Sequence, residues 1–228
     1  MAPLNPHGIT GQALRTPRAA AIAGILFALL FATSIGMMRL TIPEEMGGAA
    51  TNAWLRGGTD AVRIALLLVP FSGIAFLWFM GVVRNQLGHL EDQFFSTVFY
   101  GSGLLFLSMM FCSAAIAGGL LNGYAIDPVA MSDSGISTFA RTIMYTMTNV
   151  YAIRMAGVFM LSLGTIWVRT KIMPRIFVIV TYGLAIFLLA AINLSLWAIM
   201  VFPAWVFAIS LYILAESLRS KPVQASAR

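Results

Sequence analysis

The sequence predicts an all-α, polytopic membrane protein with six transmembrane helices and with both termini in the cytoplasm. Three observations lead to this fold class. The chain contains six long apolar blocks, its composition is 60% hydrophobic and only 10% charged, and nearly every charge lies between the blocks. Soluble globular domains carry about a quarter charged residues, so this chain lacks the polar residues needed to cover a water-facing surface.

Each apolar block is long enough to cross a bilayer, because a helix needs about 20 apolar residues to span a hydrocarbon core of roughly 30 Å. The blocks divide the chain into a disordered cytoplasmic tail at 1–18, a six-helix domain at 19–218 and a cytoplasmic tail at 219–228. The predicted spans cover approximately residues 19–38, 62–83, 95–121, 143–168, 176–195 and 199–217.

The distribution of basic residues predicts the orientation, because loops on the cytoplasmic side of a membrane carry an excess of lysine and arginine. With a cytoplasmic N-terminus, the inner side holds Arg15, Arg18, Arg84, Arg169, Lys171, Arg175, Arg219, Lys221 and Arg228. The outer side holds Arg39, Arg56, Arg63 and Arg141. The loop at 122–140 has no basic residue, which also fits an outer position.

Composition excludes several classes of function. The net charge of +6 does not indicate a nucleic-acid partner, since the basic residues lie at helix ends rather than in one patch. The single cysteine, Cys112, can form neither an internal disulfide nor a thiol-pair redox site. His7 and His89 lie outside the predicted spans, so a haem or zinc site within the membrane lacks its histidine ligands. We therefore expect no metal and no cofactor.

Arg154 is a candidate binding residue, because a charge within a span is costly and its presence favours a function. Its position relative to Arg169 places it about 22 Å from the inner boundary, in the outer third of the membrane. Two interpretations stay open: the side chain reaches lipid phosphates or pairs structurally, or it binds an anionic solute or head group. Tyr151, Asn193 and Asp60 would complete an outward-facing polar site.

The connection between the second and third blocks holds a second group of candidates, Arg84, His89, Glu91 and Asp92. The two carboxylates come directly before a predicted helix, where they can cap free N–H groups and complement the helix dipole. The pattern favours capping. A cytoplasmic docking or switch site built from the same four residues is the alternative.

The same hairpin carries a recognisable pattern, formed by Arg84, Leu87, Gly88, Glu91, Asp92, Phe94 and Phe95. The surrounding stretch at 69–111 resembles an uncharacterised family of bacterial multi-pass integral membrane proteins. The resemblance covers roughly a fifth of the chain. It implies a multi-pass fold in the bacterial cytoplasmic membrane, and it brings no activity or cofactor.

Small residues recur along the first block at Gly24, Ala28, Ala32 and Gly36. A spacing of four residues puts them on one face of a helix, where they allow a second helix to approach closely in lipid. The pattern favours packing within the same chain over a dimer interface.

Three functional classes remain. A non-enzymatic protein that acts through a lipid or a protein partner, including a homo-oligomer, comes first, since the chain lacks the residue sets of intramembrane catalysts. A small-solute transporter or channel comes second, because the similar strings at 23–26 and 156–159 would fit an inverted three-plus-three repeat. A lipid-modifying enzyme, with the hairpin residues supplying its chemistry, comes third. The sequence leans against an enzyme.

Overall fold

The structure, a computed structural model, describes residues 16–42, 59–87, 93–133, 135–190 and 197–219. Within these ranges the chain is helical and contains no strand. The elements are α1 (Thr16–Thr41), α2 (Thr59–Leu87), α3 (Gln93–Ile126), α4 (Pro128–Asp133), α5 (Ile136–Thr146), a π-helical segment (Met147–Ala152), α6 (Ile153–Thr170), α7 (Arg175–Ala190), a 3₁₀ turn (Ala198–Met200) and α8 (Val201–Arg219). The predicted tails at 1–18 and 219–228 lie almost entirely outside the described residues.

Helix length and composition confirm an all-α, multi-pass membrane protein. Five helical stretches are long and apolar enough to cross a membrane: Arg18–Thr41, Thr59–Asn85, Phe94–Ile126, Ile136–Thr170 and Ala198–Arg219. The fifth predicted block differs, because α7 has 16 residues and rises only about 24 Å. The described part of α7 is therefore shorter than a typical hydrocarbon core of roughly 30 Å. The last residues of that block, 191–195, lie outside the described ranges.

Side-chain contacts place the two ends of the helical domain at the same end of the bundle. Arg18, in the first turns of α1, donates from Nε to Ser217 Oγ at 3.0 Å and from Nη2 to the Ser217 carbonyl at 3.2 Å. Ser217 lies near the end of α8. At this end the Arg84 guanidinium also lies 5.4 Å from the Tyr100 ring, and the Arg169 guanidinium lies 4.7 Å from the Phe95 ring. We call this end of the bundle, with Arg18, Arg84, Arg169 and Arg219, the basic end.

Buried aromatic side chains fill the centre of the bundle. We call this group the aromatic core: Phe27 and Phe31 of α1, Phe76 and Phe79 of α2, Phe99 and Phe106 of α3, Phe159 of α6, and Phe202 and Trp205 of α8. Neighbouring ring centroids lie between 4.5 Å, for Phe99 and Phe159, and 6.3 Å, for Phe159 and Trp205. Several pairs are edge-to-face, which aromatic rings prefer over a direct face-to-face sandwich. Five helices therefore meet in one close-packed cluster.

The remaining long helix, α7, packs on the outside of α6 through small residues and hydrogen bonds. A Cβ atom added at Gly157 would lie 3.1 Å from the Ala185 carbonyl oxygen, so the two backbones approach closely there. Thr165 and Tyr182 share a hydrogen bond of 2.9 Å between their hydroxyls. Trp205 extends the contact to α8 by donating from Nε1 to Thr181 Oγ1 at 2.8 Å.

The small-residue stripe of α1 divides into two halves. A Cβ atom at Gly24 would clash with Ser210 Oγ of α8 and with the Phe79 ring of α2, and Ala28 is also buried. At Gly36 the same atom would meet nothing within 4 Å, and Ala32 is exposed. The structure confirms packing within the chain for the first half of the stripe and leaves the second half open.

Replacement of Gly24 by alanine is expected to destabilise the bundle. The new methyl group must displace Ser210 or Phe79, and overpacking of this kind costs about 1–3 kcal/mol. The midpoint of thermal unfolding in detergent measures the effect. Gly36→Ala is the matched control, because the added methyl meets open space and alanine is the better helix former by up to about 1 kcal/mol. Equal midpoints for the two variants would contradict the close approach at Gly24.

Candidate functional site

Arg39 lies in the last turn of α1, at the end of the bundle opposite the basic end. Its Nη2 atom donates to Asn149 Oδ1 at 2.9 Å, across 110 positions of sequence. Its Nη1 atom is buried and has no hydrogen-bond partner among the described residues. The hydroxyls of Ser72, Ser96 and Ser210 are also buried without a hydrogen-bond partner among the described residues. Unlike them, Arg39 Nη1 belongs to a charged group. A buried charged donor without an acceptor is costly, so this atom marks the position as unusual.

A second arginine stands beside the first. The Tyr145 ring lies 5.8 Å from the guanidinium carbon of Arg39 and 5.3 Å from that of Arg141. Arg141 also donates from Nη2 to the Tyr145 hydroxyl at a long 3.4 Å. We call Arg39, Arg141, Tyr145 and Asn149 the arginine cluster. Across the described ranges no carboxylate is seen paired with either arginine, so the cluster carries two positive charges held by neutral groups.

A small cavity adjoins the arginine cluster. Its volume is about 30 Å³, and its lining residues are Ile35, Met38, Arg39, Ile42, Ser113, Met144, Tyr145 and Thr148. A space of that size admits about one or two water molecules, or the oxygen atoms of a small polar group. Most of the lining is apolar, and Arg39, Tyr145 and the two hydroxyl residues supply its polar atoms.

The π-helical segment between α5 and α6 brings Asn149 to this place. The Ile153 N–H bonds back five residues to the Thr148 carbonyl, which is the wider turn of a π helix. Ser113 of α3 supports the segment from the side, donating to the Met144 carbonyl at 3.2 Å and sharing a 2.9 Å hydrogen bond with Thr148 Oγ1. The wider turn rotates α5 relative to α6 by roughly one residue step of 100°. Thr148 and Asn149 can therefore meet α3 and α1 while α6 keeps its apolar face in the core.

The arginine cluster lies about one hydrocarbon thickness away from the basic end of the bundle. Arg18 and Arg39 are 21 positions apart on the continuous helix α1, a rise of about 31 Å. The hydrocarbon core of a bilayer is roughly 30 Å thick. With Arg18 at one edge of the hydrocarbon, Arg39 therefore reaches the other.

The structure describes three of the four residues of the predicted Arg154 site. Arg154 is partly buried and donates from Nη1 to the Val150 carbonyl at 2.9 Å, inside the π-helical segment of its own helix. Tyr151 and Asp60 are exposed, and Asn193 lies outside the described residues. This hydrogen bond lies within the helix that carries Arg154. Both interpretations left open by the sequence, structural pairing and a bound ligand, stay predictions.

The predicted hairpin site is described only at Arg84, which is exposed and stacks on Tyr100. His89, Glu91 and Asp92 lie outside the described residues, so capping and docking both stay predictions. The sequence analysis named no member of the arginine cluster, Arg39, Arg141, Tyr145 or Asn149, as a candidate binding residue. The polar run at 145–149, at the outer end of an apolar block, was the available signal.

Replacement of Asn149 by aspartate is expected to stabilise the protein. A carboxylate at the position of the amide would form a charge-assisted hydrogen bond with Arg39, about twice as strong as a neutral one. The expected gain in the free energy of unfolding is about 1 kcal/mol. Thermal unfolding in detergent measures it, with Asn149→Leu as the control that removes the acceptor and lowers the midpoint. A lower midpoint for Asn149→Asp than for the wild type would show that Arg39 is already neutralised.

Comparison with known proteins identifies no relative: no protein-family model, no curated protein and no solved structure matches this chain. The resemblance of residues 69–111 to a bacterial membrane family stays a prediction.

Proposed function

We propose that this protein is a non-enzymatic membrane protein that binds an anionic group at its outer face. The observation that carries the proposal is Arg39: the side chain lines the small cavity, and its buried Nη1 atom has no acceptor in the described part of the chain. Arg141 adds a second positive charge, because its guanidinium contacts the same Tyr145 ring as that of Arg39.

The chemistry of the cluster favours an oxyanion. A guanidinium presents its N–H donors in a rigid fork that matches the oxygen atoms of phosphate, sulfate or carboxylate. Asn149 holds Arg39 through a neutral amide, so the positive charge is positioned without being compensated. An oxyanion at Nη1 would remove the cost of the unpaired donor, and its negative charge would offset the two arginines.

The proposal includes six spans, with both termini in the cytoplasm of a bacterial cell. The contact between Arg18 and Ser217 places the N-terminal end of α1 and the C-terminal end of α8 on one side of the bundle. Arg84, Arg169, Arg175 and Arg219 belong to the same side, which is the distribution expected at a cytoplasmic surface. In this proposal α7, in the fifth predicted block at 176–195, crosses the membrane in addition to the five long helices.

The aromatic core supports binding at the surface in preference to transport through the bundle. A transporter needs a polar site near the middle of the membrane, between its repeats. Here the middle of the bundle is occupied by close-packed rings from five helices.

A transporter is the second candidate, and one observation favours it. Helix α1 packs on α2 and α8, while α6 packs on α7 and α3, which is the pairing that an inverted repeat would produce. Gly24 and Gly157, from the two similar strings, both lie at close helix contacts. The protein-partner and lipid-enzyme alternatives depend on the hairpin residues His89, Glu91 and Asp92. Solute uptake into proteoliposomes would favour the transporter.

Inorganic phosphate or sulfate is expected to stabilise the wild-type protein in detergent, because a ligand that binds only the folded state raises its stability. The thermal midpoint should rise with anion concentration and saturate. Arg39→Gln should abolish the rise, since it removes the charge while keeping a side chain that can bond to Asn149.

The control for this measurement is Arg63→Gln, which removes one exposed charge near the outer end of α2. It should respond to the anion as the wild type does. An equal response from Arg39→Gln and Arg63→Gln would indicate general ionic screening and would refute a site at Arg39.

The proposed topology predicts a specific labelling pattern for single cysteines in a Cys112→Ser background. In intact cells, a membrane-impermeant maleimide should label Asp127→Cys and Ser195→Cys, and it should label Lys171→Cys only after the cells are opened. Labelling of Ser195→Cys only in opened cells would show that α7 does not cross the membrane. Labelling of Lys171→Cys in intact cells would reverse the orientation.

A further inference from the structure

We infer that the anionic group is the phosphate of an outer-leaflet phospholipid whose head group carries a net negative charge. This inference rests on the proposed function and names the ligand of the same site.

Two helices place the arginine cluster at the same depth, about one hydrocarbon thickness from the basic end. On α1 the rise from Arg18 to Arg39 is about 31 Å. On the helix that runs through α6, Asn149 precedes Arg169 by 20 positions, a rise of about 30 Å. Both distances match the hydrocarbon thickness of a bilayer, so the cluster lies where the phosphates of the outer leaflet begin. A site for a soluble anion has no need of this depth.

Apolar side chains surround the arginine cluster. Leu40 follows Arg39 directly and is exposed, and Tyr151 is exposed two positions beyond Asn149, about 3 Å nearer the membrane centre. Ile136 and Phe139 are exposed on α5, on the side of the cluster away from the membrane centre. The cavity beside Arg39 is lined mainly by apolar side chains, including Ile35, Met38 and Met144. Apolar side chains around a cationic group suit a ligand that joins a phosphate to a hydrocarbon chain.

Arg39 and Arg141 lie on one tyrosine ring, and neither is seen paired with a carboxylate within the described ranges. A zwitterionic lipid would bring a positive head group close to Arg141, where like charges repel. A phosphatidylglycerol-type head group carries the phosphate charge alone and leaves the pair of arginines better compensated.

Asn149 makes the site selective for an external anion. Its amide oxygen accepts from Nη2 of Arg39, while the buried Nη1 atom of the same side chain, which lines the cavity, has no acceptor among the described residues. The guanidinium is therefore ordered before the ligand arrives, so less conformational freedom is lost on binding. An acidic residue at the same position would supply an internal anion and take the place of the lipid.

Native mass spectrometry of the detergent-solubilised protein tests the inference with three probes: phosphatidylglycerol, phosphatidylcholine and inorganic phosphate. We expect phosphatidylglycerol to bind at least about tenfold more tightly than phosphatidylcholine. Arg39→Gln should weaken phosphatidylglycerol binding by about tenfold or more, which is the range for removal of a charged hydrogen bond. Arg63→Gln should bind as the wild type does.

The three probes separate the inference from the proposed function. Binding of inorganic phosphate at Arg39 without binding of either lipid would overturn the lipid and leave the anion site in place. Equal affinity for the two lipids would overturn the requirement for a net negative head group. Loss of every Arg39-dependent signal would overturn the site itself.

Asn149→Asp keeps the test decisive if Arg39→Gln fails to fold. This variant retains both arginines, and it is expected to be more stable than the wild type while losing phosphatidylglycerol binding. A residue with a purely structural role would not combine higher stability with lost binding. Wild-type phosphatidylglycerol binding by a folded Asn149→Asp protein would overturn the inference.

Discussion

Close packing of aromatic rings at the centre of the bundle is the interaction on which the other features depend. Lipid tails are as apolar as leucine, so helices in a membrane gain little from burying apolar surface and associate through van der Waals contact and hydrogen bonds. The aromatic core provides that contact among α1, α2, α3, α6 and α8. Because one cluster joins all five helices, the depth and rotation of each helix follow from its place in the cluster. The end of α1 is positioned in this way, and Arg39 with it.

Polar groups satisfy one another at the margins of this core. Ser34 donates to the Ala65 carbonyl, Trp205 donates to Thr181, and Ser113 shares a hydrogen bond with Thr148 of the π-helical segment. Each of these contacts joins two helices and removes a polar group that lipid cannot solvate. Against this pattern, the Nη1 atom of Arg39 is informative because it carries charge and has no acceptor among the described residues, in a side chain that lines the cavity. Three serine hydroxyls share this condition in the described part of the chain, but Arg39 brings a positive charge to it.

Apolar length alone predicted the fold class and five of the spans, because a continuous apolar block has few alternatives to a membrane helix. The site was harder to predict, for two physical reasons. The first block was predicted to end at residue 38, whereas α1 continues to Thr41 and carries Arg39 within the helix. The partner of Arg39 is 110 positions away and faces it only through a π-helical turn, which no sequence periodicity shows. Arg154 drew attention because a charge inside a span is conspicuous, yet it bonds to its own helix.

The π-helical segment also lies between α5 and α6, which would otherwise form one uninterrupted α-helix. In an uninterrupted α-helix, gain or loss of one residue near the outer surface would rotate every side chain beyond it by about 100°. Here a six-residue segment already holds the wider turn, and gain or loss of a residue within it changes the turn type instead of the register of α6. A change of one residue within this segment can therefore leave the packing of α6 in the aromatic core as it is.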